Sequence, residues 1–273
     1  MSGFPRTPLP PELSPGTLER ILARLERLHG IGLRGETALP GWQRARILRC
    51  LGRPEFAHAR DQGGYDAAAE ALLANRELLT KLADELRVGE TRFFRDPAQW
   101  RGLEGWLTSW PAGRTLRALS AGCSTGEEAW SLAMSLRQAN ISAKVFGIDR
   151  SAAALEVARA GVYGADALLT LPEELRGRYV EPVDGGGRLG GNLAVTFLQR
   201  DLMQGPPAGS WDLIVCKNVL IYFGDAAGAA VAKQLVSALS EVGVLLVALS
   251  EAPRLRALGL TEVPLSGSVS GFR

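Results

Sequence analysis

From Thr115 to Val247 short apolar runs alternate with amphipathic ones, and no other feature constrains the fold as tightly. "TLRALSAG" precedes "GEEAWSLAMSLRQA", "AKVFGID" precedes "SAAALEVARAG", and "WDLIVCKNV" precedes "DAAGAAVAKQLVSALS", which leads into "GVLLVALS". Apolar strands linked by amphipathic helices pair in parallel, because each helix carries the chain back across a face of the sheet. The pattern predicts an α/β fold with a doubly wound parallel sheet. The alternation breaks between Tyr163 and Phe197, where Gly-rich turns and short β-like pieces predict an inserted subdomain. "DGGGRLGG", Asp184 to Gly191, reads as its loop or hairpin tip.

No strand pattern precedes residue 85. Ser14 and Pro15 suit an N-cap and first helical position, and Leu18, Ile21, Leu22, Leu25 and Leu28 follow at helical spacing until Gly30. Trp42, Ala45, Leu48 and Leu51 suggest a second helix, and "DAAAEALL" and "RELLTKLADEL" suggest two more, short or merged. The expected organisation is a helical domain over 1–85, its first 13 residues a flexible Pro-rich lead, and an α/β domain over 86–273 with the insertion at about 163–197. Asp96 and Pro97 should cap a further helix with Trp100, Leu103, Leu107 and Trp110 on one face.

Several classes of protein are excluded. No apolar run reaches the ~18 residues of a membrane span, and the lead has no apolar core of a secretory signal. Three cysteines without pattern suit reduced thiols, so a cytoplasmic protein is expected. Nine arginines lie between Arg20 and Arg60 against Glu26, Glu36 and Glu55, and from Asp61 to Glu85 six acids face Arg76 and Lys81. This is either a solvated helical surface or a basic face for an acidic partner. Nucleic acid is not expected, because no aromatic residues interleave the arginines.

Ligands of open α/β sheets sit at the carboxyl ends of the strands. There the first predicted strand runs into "LSAGCSTGEEAWSLAM", Leu119 to Met134. It has two glycines, Gly122 and Gly126, no following lysine, and two acids, Glu127 and Glu128, where a pyrophosphate would need the helix N-terminus. Cys123 has no nearby histidine and reads as a small loop residue rather than a nucleophile. Asp149 ends the second strand, where an acid holds ribose hydroxyls; it could equally cap the next helix, as could Ser151. The combination disfavours phosphates and suits S-adenosyl-L-methionine, a nucleoside whose sulfonium and ammonium complement the acids. No metal is expected.

Five motifs occur in order: "VGETRFFRD", "SAGCSTGEEAWSLAM", "VFGIDRSAAALEVARAGVY", "RDLM" and "WDLIVCKNVLIYF". Over about residues 14–255 the chain closely resembles the CheR-type chemoreceptor glutamate methyltransferases. The resemblance implies an N-terminal helical domain, a Rossmann-like S-adenosylmethionine-dependent methyltransferase sheet and a small inserted β-subdomain. It implies methyl transfer to glutamate side chains on the cytoplasmic helices of chemoreceptors, by a monomer that does not enter the membrane.

Position by position, the resemblance implies that Gly89, Thr91 and Arg95 contact the cofactor from the segment joining the domains. Gly122 forms the turn, and Glu127 or Glu128 is the family's cofactor-contacting glutamate. Asp149 would hold the ribose, Asp201 and Leu202 would frame the adenine, and Lys217 and Asn218 match an Arg-Asn pair at a strand end. Arg95 and Tyr222 are the candidate catalytic residues. Arg95 could instead orient the substrate glutamate, but the resemblance favours the cofactor. Phe93, Phe94 and Phe223 read as core. A glutamate is ionised at neutral pH, so the reaction needs no general base; alignment and exclusion of water should carry it.

The chain departs from the family at several positions. Asparagine is usual at Gly89, Pro-Tyr at Ala129-Trp130, Arg at Lys217 and Asn at Asp201. The histidine before Ser250-Glu251 is missing, and the closing "SVSGFR" matches the family's last strand faintly. These changes leave open a methyltransferase-like module that binds cofactor or receptor but catalyses poorly. A small-molecule methyltransferase is a third reading, one that needs neither the helical domain nor the insertion.

Overall fold

The computed structural model describes residues 13–32, 39–87, 91–190 and 192–273. Residues 1–12 of the lead, and Gly89 in the first motif, lie outside the described residues. The chain forms two compact units. One comprises the described residues of Met1–Val88 together with Tyr222–Gly224, and the other those of Gly89–Ile221 and Asp225–Arg273.

The first unit is helical: α1 (Pro15–His29), α2 (Gly41–Leu51), α3 (Ala57–Ala74) and α4 (Arg76–Glu85). α1 buries Leu18, Ile21, Leu22 and Leu25, the stripe its spacing predicts, and ends on Gly30 in the left-handed region at φ 66°. Ser14 precedes it, but its hydroxyl turns to Thr17 Oγ1 and Asp66 Oδ1 instead of capping a backbone N–H. Leu13 is buried, so the lead stops short of it. α3 and α4 are separate helices, divided at Asn75, whose side chain accepts from Leu78 N at 3.1 Å. α3 itself breaks its helical dihedrals at Gly63 and Gly64.

The second helix forms as α2, with a buried face that only partly follows the spacing that marks it. Gln43, Ile47, Cys50 and Leu51 are buried, while Trp42 is 39% exposed with the Arg46 guanidinium 4.8 Å over its ring. Steps of three residues walk around a helix of 3.6 residues per turn, which puts Trp42 and Leu51 on opposite sides. The basic and acidic runs also meet: Arg20 pairs with Glu70 at 2.5 Å, and Arg53 pairs with Glu85. Arg46 and Arg60 are engaged as well, donating to backbone carbonyls of the same unit.

The second unit opens with α5 (Pro97–Leu107) and is built on a seven-stranded sheet. Its strands are β1 (Leu116–Ala121), β2 (Ala143–Asp149), β6 (Val195–Gln199), β7 (Trp211–Cys216), β8 (Leu239–Val247), β9 (Glu262–Ser266) and β10 (Val269–Phe272), in the order β6-β2-β1-β7-β8-β10-β9. The first five run parallel, and β10 pairs antiparallel with β8 and β9. α6 (Glu127–Gln138) follows β1, α7 (Ala152–Ala160) follows β2, and α10 (Asp225–Ser237) precedes β8. α11 (Ala252–Ala257) follows β8. The closing residues that match the family faintly are thus a strand of the sheet.

The insertion is a second sheet, order β3-β5-β4, made of β3 (Val162–Gly164), β4 (Val180–Val183) and β5 (Gly186–Leu189), with α8 (Ala165–Leu168) and α9 (Glu173–Tyr179) between the first two. All its pairings are antiparallel. Two boundaries differ from the sequence reading. Val195, Thr196 and Phe197 belong to the main sheet, paired with β2. In the "DGGGRLGG" stretch Asp184 and Gly185 form the turn, and Gly186–Leu189 is strand.

Candidate functional site

β1 is central, with β2 on one side and β7 on the other, and all three run in the same direction. The chain therefore crosses to opposite faces after β1 and after β7, and the carboxyl ends of these strands open a crevice. Gly122, Asp149 and Asn218 follow the strand ends there. β6 delivers Asp201 to the same rim, since Arg200 N donates to Asp149 O at 2.8 Å.

The turn after β1 is tightly specified. Gly122 and Cys123 N both donate to Ile148 O, and Gly122 has φ 83°. A Cβ on Gly122 would come within 2.7 Å of Val219 Cγ2. Gly126 has φ 100° and a Cβ there would lie 2.8 Å from Ala158 Cβ and 3.0 Å from Tyr163 Oη. Tyr163, on β3, donates its hydroxyl to Thr125 O at 2.7 Å. Gly126→Ala should accordingly cost about 2–4 kcal/mol of stability through strained backbone and overlap. Urea denaturation measures this, and a loss below ~1 kcal/mol would contradict it.

The carboxylate of Asp149 clasps the turn to the end of β2. Its Oδ2 accepts from Ser124 N and its Oδ1 from Ser151 N, both at 2.9 Å. Ser124 is held at φ 49°, an unusual value away from glycine. Ser151, not Asp149, caps α7, accepting from Ala154 N at 3.2 Å. Asp149 is thus left half-buried at the crevice.

The paired acids differ. Glu127 is 5% exposed and accepts the hydroxyls of Thr125, at 2.7 Å, and Thr91. Glu128 is half-buried and accepts the Ser120 hydroxyl through Oε1 at 2.8 Å. Burial raises both, and Glu128 is pushed up to about 7, against the opposing pull of Lys217, Ser120 and Arg95. Cys123 is buried and its thiol is raised well above the ordinary value, by burial first and then by Asp149 and Glu128. That environment suits an inert loop residue.

The remaining residues are placed as follows. Asp201 accepts from Met203 N at 3.0 Å, fixing a one-turn 3-10 helix that begins at the buried Leu202. Arg95 is half-buried, and its carbonyl accepts from Trp100 Nε1 at 2.9 Å and from Lys217 Nζ. Lys217 also pairs with Asp96 at 3.1 Å. Asp96, expected to cap α5, makes no side-chain cap; it pairs with that lysine from a left-handed φ of 60°. Trp110 lies beyond the end of α5, its indole N–H donating to Arg114 O. Phe93 and Phe94 are buried against Tyr163 and Trp100, as core residues. Tyr222 belongs to the helical unit, where its carbonyl accepts from Gly32 N at 2.8 Å, and Phe223 is buried beside it.

One residue that sequence reasoning passed over stands out: Glu251, 2% exposed, whose carboxylate accepts backbone N–H groups from the loops after both β7 and β8. Its neighbour in space, Asn218, lies at φ 58°, and its Oδ1 is buried without a hydrogen-bond partner. A buried amide oxygen in that condition is costly unless something donates to it. With Glu128 raised by burial, the crevice has an orphan acceptor and an acid suited to a cation. Both fit a nucleoside with a positively charged tail, and nothing at the turn offers a lysine to phosphate. Among the described residues no cluster of His, Cys, Asp or Glu could hold a metal ion, and no helix is long and apolar enough to cross a membrane.

A parallel sheet with this turn and these acids at its strand ends defines a nucleoside-binding α/β domain of the methyltransferase class. Residues 89–257 match the family described as CheR methyltransferase, SAM binding domain. The chain belongs to the CheR methyltransferase family, and its cofactor is S-adenosylmethionine. A chemotaxis protein methyltransferase of Vibrio parahaemolyticus is 34% identical over 191 residues, covering 65% of this chain and 70% of its own. The probable biofilm formation methyltransferase WspC of Pseudomonas aeruginosa is 34% identical over 199 residues, 68% of this chain and 47% of its own. An uncharacterized 104.1 kDa protein of Rhodobacter capsulatus is 30% identical over 226 residues, 78% of this chain and 23% of its own. The chain thus spans under a quarter of the last relative and about half of WspC.

Proposed function

We propose that this protein is a protein-glutamate O-methyltransferase that modifies glutamate side chains on the cytoplasmic helices of chemoreceptors, acting in the cytoplasm as a monomer. The observation that carries this reading is the turn after β1, clasped by Asp149 in a CheR-family domain, with a raised Glu128 following β1 and the orphan Asn218 Oδ1 following the adjacent β7. The helical part of the enzyme corresponds to residues 1–85 and the catalytic part to 86–273.

In this reading Asp149 holds the ribose, and Asp201 and Leu202 border the base. Glu128 is the acid that faces the cofactor's positive charge, because Glu127 is buried and accepts two hydroxyls, whereas Glu128 is half-buried and accepts one. Asn218 Oδ1 accepts from the amino-acid tail. Lys217 acts indirectly, holding the Arg95 carbonyl and Asp96 and so the direction of the Arg95 guanidinium. Bound S-adenosylmethionine supplies a methyl group activated by its sulfonium. The chain's residues contribute alignment and the exclusion of water, and no base is needed because the substrate carboxylate is already ionised.

Incubation with tritiated S-adenosylmethionine and a receptor cytoplasmic fragment is expected to give base-labile label that disappears when the receptor glutamates are changed to alanine. Cofactor binding without transfer to any receptor fragment would instead support a binding module with little catalysis. Label transferred to small metabolites alone would support the small-molecule reading.

A further inference from the structure

We propose that Glu251 is the positioning residue of this site, a buried carboxylate that sets the wall of the cofactor crevice through the backbone after β7. The proposal rests on the reading of the strand-end crevice as the S-adenosylmethionine site. Glu251 Oε2 accepts from Asn218 N at 2.9 Å and Ala248 N at 3.0 Å. Its Oε1 accepts from Val219 N at 2.9 Å and Ile221 N at 3.2 Å. One side chain from the start of α11 thus satisfies four backbone donors on the loops that leave two adjacent parallel strands. Burial raises the Glu251 carboxyl, and the N–H groups of Asn218, Ala248 and Ile221 are among those that oppose the rise.

The clasp holds Asn218 and Val219 directly, and Lys217 is the residue immediately before them. Lys217 grips the segment at Arg95 and Asp96. Asn218 is held in a left-handed conformation that presents its unpartnered Oδ1. Val219 rests its side chain on Gly122, so closely that a Cβ at Gly122 would meet it. Release of the loop would therefore shift the orphan acceptor and loosen the turn after β1 at once. Polar groups that orient binding residues without touching the ligand commonly matter as much as the contacts themselves.

In Glu251→Gln one oxygen becomes an amide N–H₂ that points at two backbone donors, so two of the four bonds are lost. The control is Asp212→Asn at the opposite end of β7. Asp212 is also buried and accepts from Arg117 N at 3.0 Å and from the Arg114 and Ser240 side chains at 2.8 Å. Calorimetric titration with S-adenosylhomocysteine should show the dissociation constant of Glu251→Gln raised about 30-fold, with Asp212→Asn within about twofold of wild type despite a lowered Tm. Hydrogen exchange should speed up selectively at the amides of residues 218, 219, 221 and 248. If Glu251→Gln does not fold, Val219→Ala serves instead, with an expected rise of about fivefold from the loosened contact on Gly122. Either variant binding within twofold of wild type, or Asp212→Asn losing as much affinity at a matched Tm loss, would overturn the positioning role. Wild-type protein that fails to bind S-adenosylhomocysteine would overturn the site reading itself, a separate and recognisable result.

Discussion

Replacing Asp149 by alanine is expected to raise the dissociation constant for S-adenosylmethionine by about a hundredfold, the largest effect of any single change at the site. Two losses combine. The ribose hydroxyls lose a charged acceptor, a bond of the kind worth roughly 1.5–3 kcal/mol. The turn also loses its clasp, because Ser124 N and Ser151 N, each now 2.9 Å from a carboxylate oxygen, would be left without it. Ser124 stands at φ 49° and depends on that bond to stay there. Asp149→Asn should be milder, since its amide keeps one acceptor oxygen. Calorimetry on both variants decides the matter. Unchanged affinity in Asp149→Ala would mean that the carboxylate neither meets the ribose nor holds the turn in the shape that binds the cofactor.

The second large effect is on pH dependence and belongs to Glu128. Burial holds its carboxyl at about 7, where an unfolded chain would titrate near 4.5. The folded protein therefore keeps a proton that the unfolded chain has released, so stability declines as pH rises from 4.5 to about 7 and levels off above that. The decline attributable to this group is at most ~3 kcal/mol, and Glu127 and Glu251, raised in the same direction, add to it. Urea denaturation at pH 5 and 7.5 should show it, and Glu128→Gln should flatten it. Cofactor binding runs the other way. A cation beside Glu128 favours the carboxylate, so affinity should rise about tenfold between pH 6 and 8 with release of a proton. In Glu128→Gln both the slope and the proton release should vanish. If Glu127→Gln alone removed them, the two acids would exchange roles.

The features legible in the sequence are those with a period or a fixed chain position. Apolar runs of strand length joined by amphipathic segments specify the parallel core, and "GCSTGEE" lies where β1 hands over to α6 because such turns always follow a strand. Asp149 is readable for the same reason. Misread features depend on neighbours far along the chain. Trp42 belongs to the spacing that marks α2, but the stripe of Ile47, Cys50 and Leu51 wins the interior and leaves the indole under Arg46. Asp96-Pro97 looked like a cap, yet the carboxylate is taken by a lysine 121 residues later, Lys217. Val195, Thr196 and Phe197 looked like insertion because a strand of the main sheet follows the small sheet without a helix between them. Glu251 left no sequence trace of its role, since nothing marks a carboxylate whose partners are backbone N–H groups. The same holds for Asn218, whose left-handed conformation and unpartnered oxygen exist only in the folded chain.

The central claim is that the strand ends of the α/β unit form the cofactor site, and hydrogen exchange with and without S-adenosylmethionine tests it most directly. Protection is predicted in residues 119–128, 147–151, 201–203 and 217–219, with the amino ends of the same strands unchanged. Cofactor-dependent protection confined to the helical unit, or absent from the turn at 122–126, would contradict it.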